Sequence, residues 1–393
     1  MTHHKDDTTI ERVMETLIEN GLDGMGEAFG ILYNTAMEIE RAQFLGAGRY
    51  ERSENRIGQG NGFKNKTIKA RVGKIPLKIP QVRGLPKGTE GFYPKSLEKG
   101  IRSERALKLA LAEMYIHGVS TRRVTKITEE LCGLEISSTE VSRATKLLDE
   151  EVEAWRNRKL GFIKYLVLDA RYEKIRHGGS VIDCAVLVAI GVAENGKRIV
   201  LGTSVALSEA EVHWRAFIMS LLDRGMRGVE MVVSDDHKGL KKALQGTMPS
   251  VPWQRCQCHL QRNAQAYVPK VAMRETVAGD LRRIFTSGDR QEADQGLIDF
   301  VKKYEKSAPR LAQWAEENIP EGLTVFQLPV GHRKRMRTSN SIERLNKEIK
   351  RRTKVATLFP NEESLLRLVS AILAEISDDW ETGKVYLNME TEK

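Results

Sequence analysis

Three acidic residues are the strongest candidates for chemistry in this chain. Asp169 comes late in an apolar, strand-like run, and Asp235 follows a second such run, Met231-Val232-Val233. Carboxylates crowded at one sheet edge either acquire a raised pKa or bind a cation, and oxygen ligands favour Mg²⁺ or Mn²⁺. Glu343 could complete a site for two such ions, which can activate a water or a 3′-hydroxyl and stabilise a leaving oxygen.

Each of these residues also has a purely structural interpretation. The two aspartates could be turn or capping residues, and Asp236 competes with Asp235 for the second position. Glu343 could complete a capping box with Asn340 or pair with Lys347 one turn later. The three together are more informative than any one of them, because strand, strand and basic helix follow in the order that such a site requires.

A second cluster, Cys256-Gln-Cys258-His259, contains three soft metal ligands. A tetrahedral zinc site would need a distant fourth ligand, since no second cluster follows at zinc-finger spacing. Closely spaced buried thiols are the simpler interpretation. The chain has only four cysteines, too few and too scattered for a disulfide framework, so we expect a reduced protein.

The elements that must position the carboxylates begin near residue 163. Apolar runs at 163–176, 181–192 and 197–207 are separated by Gly-Gly and Asn-Gly turns and predict three antiparallel strands. Ser208 with Glu211 predicts a capping box that opens a helix through Leu222. A fourth strand, a short helix and a possible fifth strand at 252–260 follow. This order fits a ribonuclease H-like sheet.

The N-terminal part reads differently. Helical spacing covers residues 10–45, and a basic, Gly- and Pro-rich stretch at 56–95 indicates a small β element or a linker. Helices then end at Gly118 and Gly133, and a capping box predicts another helix starting near Ser138. This is the outline of a helix-turn-helix that binds DNA, although any helical bundle could give the same pattern.

The charge distribution points to a polyanionic partner. The 393-residue chain has a formal net charge of +10, and residues 331–354 hold ten Lys or Arg against two Glu. A solvated basic surface is the alternative, but the position beside Glu343 favours contact with phosphates. The basic residues that we expect to contact DNA are Arg122, Arg123, Arg143, Lys146, Arg344, Lys347, Arg351 and Arg352. No signal peptide or membrane-spanning run is present, so we expect a cytoplasmic, nucleoid-associated protein of bacterial type.

Six segments of the chain together resemble the Mutator-like transposases of bacterial insertion sequences. The resemblance covers about residues 55–360 and is specific as an ordered set. The segments are AEMYIHGVSTRRV (112–124), VSRATKLLDEEV (141–152), VLDARYEKIR (167–176), VSDDHKGL (233–240), WQRCQCHLQRN (253–263) and SNSIERLNKEIKRRTKV (339–355).

The resemblance implies a ribonuclease H-like core with a helical insertion and a catalytic, metal-binding triad of Asp169, Asp235 and Glu343. It favours Asp235 over Asp236. It also implies a structural element at Cys256 and His259, and it suggests Trp314 of the insertion as a base-stacking residue, although a lone Trp is more often part of a core.

The implied reaction is metal-dependent cleavage at the 3′ end of an insertion sequence, followed by strand transfer. Its cofactor would be two Mg²⁺ or Mn²⁺ ions. Its partners would be DNA, as terminal inverted repeats and target, and a second copy of the chain in a homodimer or larger assembly. The alternatives are a catalytically silent, transposase-derived DNA-binding regulator and a nuclease that cleaves without strand transfer.

The predicted fold is therefore α/β: a ribonuclease H-like mixed sheet with a helical insertion, preceded by a helix-turn-helix region. We divide the chain into a helical region (1–55), a basic β segment (56–100), a helix-turn-helix domain (101–158), the first part of the core (159–269), the insertion (270–330) and the completion of the core with a C-terminal helix (331–393).

Overall fold

A computed structural model of the protein describes residues 4–354 and 358–389. The chain forms two compact units, residues 1–147 and 148–393. The helix at Asp149–Asn157, which we grouped with the helix-turn-helix segment, belongs to the second unit. Within the described ranges, no helix is both long and apolar enough to cross a membrane.

The first unit combines a β-hairpin with helices. Its elements are α1 (His4–Asn20), α2 (Met25–Leu45), β1 (Gln59–Ala70), β2 (Gly73–Arg83), α3 (Arg105–Ile116), α4 (Thr121–Cys132) and α5 (Ser138–Ala144). The basic stretch that we left open between β element and linker is thus an antiparallel hairpin.

Helix α2 packs closely on β2 because two glycines face it. A Cβ atom at Gly26 would lie 2.8 Å from the carbonyl oxygen of Lys74, and one at Gly30 would lie 2.9 Å from that of Pro76. The core of this unit is formed by Met37 from the helix and apolar residues of the hairpin, including Leu77. Larger residues at the two glycine positions would push the helix away from the sheet.

The turns around α4 and α5 follow the predicted capping. Gly133 ends α4 in the left-handed conformation, with a φ of 62°. Ser137 and Glu140 form the predicted reciprocal capping box at the start of α5. Ser120 caps α4 by accepting a hydrogen bond from the backbone N–H of Arg123. Local side-chain chemistry therefore sets the ends of these helices.

The second unit is a mixed sheet with helices. Its strands are β3 (Ile163–His177), β4 (Ser180–Ala193), β5 (Arg198–Ala206), β6 (Met231–Ser234) and β7 (Trp253–Arg255). Its helices are α6 (Asp149–Asn157), α7 (Glu211–Asp223), α8 (Lys238–Thr247), α9 (Gln257–Ala264), α10 (Arg274–Phe285), α11 (Arg290–Tyr304), α12 (Pro309–Asn318), α13 (Val330–Met336), α14 (Asn340–Thr353) and α15 (Glu362–Thr382).

The sheet has the strand order β5-β4-β3-β6-β7. Strands β3, β4 and β5 are antiparallel neighbours, whereas β6 runs parallel to β3 and β7 runs parallel to β6. Leu166 and Leu168 of β3 pack with Trp214 and Leu221 of α7 in the main core. Because side chains alternate along a strand, Asp169 lies on the opposite face.

One local prediction in this unit was wrong, and the predicted fifth strand is present but shorter than expected. Helix α7 is capped by Ala210 without a side-chain hydrogen bond, so Ser208 does not form the predicted capping box. The fifth strand ends at Arg255, and Cys256 is already the cap of α9. The cysteine–histidine cluster therefore begins a helix, which places His259 one turn after Cys256.

Candidate active site

The two aspartates lie at matching points of two neighbouring parallel strands, Asp169 within β3 and Asp235 directly after the end of β6. Val167 of β3 pairs with Val233 of β6. Asp169 and Asp235 each follow two residues later, and the charge of Asp235 acts on the carboxyl group of Asp169, so the two acids lie close together. The apolar strands thus bring together two carboxylates that are far apart in the sequence.

Helix α14 brings Glu343 to the same place. Its buried positions Ile342, Leu345 and Ile349 recur at helical spacing, which fixes the face that it packs into the protein. The sequence predicts that the third carboxylate lies on this basic helix. Glu343 lies half-buried in the first turn of α14. The alternative, in which Glu343 forms a capping box with Asn340, involves a side chain that lies outside the described residues.

His259 lies between two of the carboxylates. Its Nδ1 is 3.9 Å from Asp235 Oδ1, and its Nε2 is 3.9 Å from Glu343 Oε1. A hydrogen bond with Cys256, together with the negative charges of Cys256, Asp235 and Asp169, raises the pKa of His259 to about 9. The imidazole is therefore protonated at neutral pH and offsets part of the negative charge around it.

The carboxyl group of Asp169 is strongly affected by its burial. Loss of hydration around its carboxyl group, with a smaller contribution from Asp235, raises its pKa to about 7. Oε1 of Glu343 is also buried and has no hydrogen-bond partner among the described residues. Buried carboxylate oxygens of this kind are costly unless a cation or a proton compensates them.

Asn346 provides a contact that the sequence did not reveal. Its Nδ2 donates a hydrogen bond of 2.8 Å to Oδ2 of Asp169. It lies one turn after Glu343 on α14 and so faces the same way. Arg171 of β3 donates to the backbone carbonyl of Asn346 and pairs with Glu173 at 2.6 Å. These contacts join α14 to the strand that carries Asp169.

Cys256 holds the beginning of α14. Both the backbone N–H and the hydroxyl of Ser339, the cap of this helix, donate to the Cys256 sulfur at 3.3 Å. Hydrogen bonds from Cys258, His259 and Ser339 lower the pKa of Cys256. The cysteine–histidine cluster therefore has two roles. Cys256 anchors the start of the helix that carries Glu343, and His259 lies between Asp235 and Glu343.

Asp236 is engaged elsewhere. Its carboxylate lies 3.2 Å from the buried guanidinium of Arg255 and 3.4 Å from the amine of Lys241. Both cations also pair with Glu321, at 3.0 Å and 2.7 Å. This network ties the start of α8 to the segment after α12, and it makes Asp236 a structural residue beside Asp235.

Comparison with known proteins agrees with the resemblance described above. The family model "Transposase, Mutator family" matches residues 1–383. The chain belongs to the Mutator family of transposases. The match extends beyond the segments on which the resemblance rested, since it includes the N-terminal helices.

Curated relatives of this Mutator-family chain are transposases of insertion sequences. The transposase for insertion sequence element IS406 of Burkholderia multivorans is 54% identical over 96% of this chain and 97% of its own length. The transposase for element ISRM5 of Rhizobium meliloti is 41% identical over 99% of this chain and 96% of its own length. The transposase for element IS256 in transposon Tn4001 of Staphylococcus aureus is 36% identical over 91% of this chain and 92% of its own length.

The basic residues expected to contact DNA have different surroundings. All are exposed except Arg352: Arg122 and Arg123 on α4, Arg143 on α5, Lys146 just after it, and Arg344, Lys347 and Arg351 on α14. Arg352 is buried, pairs with Glu375 of α15 and lies 2.7 Å from Glu348. Its predicted DNA contact is therefore not available in this conformation, because the guanidinium joins two helices.

Trp314 lies in the helical segment between α9 and α13, as expected for the insertion. Its side chain is buried, and its ring stacks on that of Tyr267 with centroids 5.5 Å apart. This is the packing role that we considered the commoner one for a lone Trp. The geometry gives no support to base stacking by Trp314.

Proposed function

We propose that this protein is a DDE transposase that cuts and joins DNA with Asp169, Asp235 and Glu343. The observation that supports this most directly is the convergence of three acids from β3, the end of β6 and α14 around His259. Family membership supports the general function, since the chain matches the transposase model over nearly its whole length.

We further propose that the β5-β4-β3-β6-β7 sheet is a ribonuclease H-like core. Three antiparallel strands followed by two parallel ones, with an acid on the central strand, are the basis of this proposal. Helices α10–α12 would then be the insertion that separates Glu343 from the two aspartates. We assign α3–α5 to a helix-turn-helix that binds the terminal inverted repeats, because Arg122, Arg123 and Arg143 are exposed there.

The three carboxylates fit divalent cations of the Mg²⁺ or Mn²⁺ type. They supply oxygen ligands only. A cation would compensate both the Glu343 oxygen that lacks a hydrogen-bond partner and the burial that raises the pKa of Asp169. Among the described residues, no three His, Cys, Asp or Glu side chains already form a metal-ligand group.

Two such ions, when bound, would activate the attacking hydroxyl and stabilise the leaving oxygen. The residues of the chain have separate tasks in this scheme. Asn346 orients Asp169, and Cys256 fixes the start of the helix that carries Glu343. The exposed cations of α14 would hold the phosphate backbone beside the acids. Two DNA ends must meet before joining, so we propose that the active form is at least a dimer.

The test is strand transfer by purified protein on labelled DNA that carries the element's ends, with Mg²⁺. We expect joined product from the wild type and from Glu316→Gln, a change of the same type at an exposed position of α12. Glu343→Gln should bind the DNA but form no product. Normal joining by Glu343→Gln would remove Glu343 from the triad, and cleavage without joining by the wild type would favour a nuclease.

A further inference from the structure

The first unit contains a basic cleft that includes none of the basic residues expected to contact DNA. It has a volume of about 730 Å³ and lies along β1, with residues 92–103 on its other side. Lys64, Lys66, Lys74 and Arg102 line it. All its lining residues belong to the first unit, so the cleft is complete within residues 1–147.

Backbone hydrogen bonds give the cleft a fixed wall. The N–H of Lys69 donates to the carbonyl of Arg102 at 3.1 Å, and the N–H of Glu104 donates to the carbonyl of Lys69 at 2.8 Å. This short parallel bridge holds residues 102–104 against the free side of β1. The preceding part of β1, which carries Lys64 and Lys66, therefore faces a groove of defined shape.

The charges in the cleft are unbalanced. Among the described residues that line it, Glu140 is the only acid, and it is bound by Lys69 at 2.5 Å. Within residues 4–354 and 358–389, no ion pair is formed by the other four cations of the cleft, which are Lys64, Lys66, Lys74 and Arg102. Four like charges around one groove create a positive potential that attracts a polyanion.

We infer that this cleft binds the phosphate backbone of double-stranded DNA without reading its sequence. Lysine ammonium groups contact phosphates as point charges, and three of the four cations are lysines. The inference rests on the proposed function for the identity of the polyanion. It adds a second contact surface to the first unit, distinct from the exposed arginines of α4 and α5 that we propose to bind the repeats.

The test compares two triple variants of the full-length protein. Lys64→Gln/Lys66→Gln/Arg102→Gln removes cleft charges, and Lys78→Gln/Arg83→Gln/Lys87→Gln removes two lysines and one arginine that are exposed outside it. Binding is measured by fluorescence anisotropy in EDTA over a range of salt concentrations. The probes are a random-sequence duplex and a duplex of equal length that carries the element's end.

We expect the cleft variant to bind both duplexes at least about tenfold more weakly at moderate salt, because each lost phosphate contact removes up to about one decade. The slope of log K against log salt should become shallower by about 2–3. The control variant should keep nearly the wild-type slope. Melting temperatures close to that of the wild type would show that both variants are folded.

Two results would overturn the inference while leaving the proposed function in place. One is unchanged affinity and slope in the cleft variant beside a wild type that binds both duplexes. The other is a loss confined to the end-carrying duplex, which would make the cleft a sequence-specific site. A wild type that binds neither duplex would instead contradict the proposed function itself.

Discussion

The hydrogen bond between Asn346 and Asp169 allows a quantitative prediction about the proposed reaction. Asn346→Ala removes the donor that lies 2.8 Å from Oδ2 of Asp169 and leaves the rest of α14 unchanged. A hydrogen bond to a charged group contributes about 1.5–3 kcal/mol. Since about 1.4 kcal/mol corresponds to a tenfold change in rate, we expect cleavage to slow by about 10- to 150-fold.

The assay should separate positioning from DNA binding. Cleavage of end-carrying DNA is followed over a range of Mg²⁺ concentrations, and DNA affinity is measured in EDTA. We expect Asn346→Ala to raise the Mg²⁺ concentration for half-maximal rate, because partners of metal ligands tune metal affinity by about 10- to 100-fold. The affinity for DNA should not change.

Asn346→Asp is the matched control for shape. It keeps the size of the side chain but replaces the donor by a second carboxylate beside Asp169. If the hydrogen bond is what matters, this variant should be at least as impaired as Asn346→Ala. Wild-type cleavage by Asn346→Asp at ordinary Mg²⁺ would refute the reasoning, since space-filling alone would then explain the residue.

Three further predictions concern stability and the Cys–His cluster. Asp280→Asn should cost about 2 kcal/mol of unfolding free energy, because the buried carboxylate accepts from a buried tyrosine and pairs with Lys303. Denaturant titration checks this, with Asp379→Asn at an exposed position of α15 as the control. Burial acts to raise the pKa of Asp280, but its hydrogen bonds with Lys303, Tyr304 and Arg283 outweigh burial and leave the pKa lowered. The stability that Asp280 contributes should therefore be present above about pH 4 and disappear at lower pH. Arg352→Ala should lower the melting temperature, whereas Arg351→Ala should mainly weaken DNA binding, and the reverse pattern would contradict the burial argument. Cys256→Ala should reduce the cleavage rate but not the affinity for DNA. A zinc chelator should leave the melting temperature of the wild type unchanged. A large drop in that melting temperature would indicate a structural zinc site.

Much of the local structure was predictable because short-range chemistry determines it. Left-handed glycines end α4 and form the tight turn between β3 and β4, at Gly178 and Gly179. The capping box at Ser137 was found from spacing alone. The same rule failed at Ser208, because α7 is capped two residues later, at Ala210, which has no side chain that could accept a capping hydrogen bond.

The long-range contacts of the site could not be obtained in this way. Asn346 and Asp169 are 177 residues apart, and Ser339 and Cys256 are 83 residues apart. Only the packing of α14 across the sheet brings these pairs together. Strand ends and a basic helix were sufficient to nominate the three acids. They could not show that Arg352 is buried or that His259 lies between two of the acids.

The most direct test of the proposed metal triad replaces each acid by cysteine and compares Mg²⁺ with Mn²⁺. A thiolate is a poor ligand for Mg²⁺ but accepts softer ions. We therefore expect Asp169→Cys, Asp235→Cys and Glu343→Cys to be inactive in strand transfer with Mg²⁺ and to recover part of their activity with Mn²⁺. Glu316→Cys should behave as the wild type with either ion. Full activity of any triad variant with Mg²⁺ would contradict the assignment of that residue.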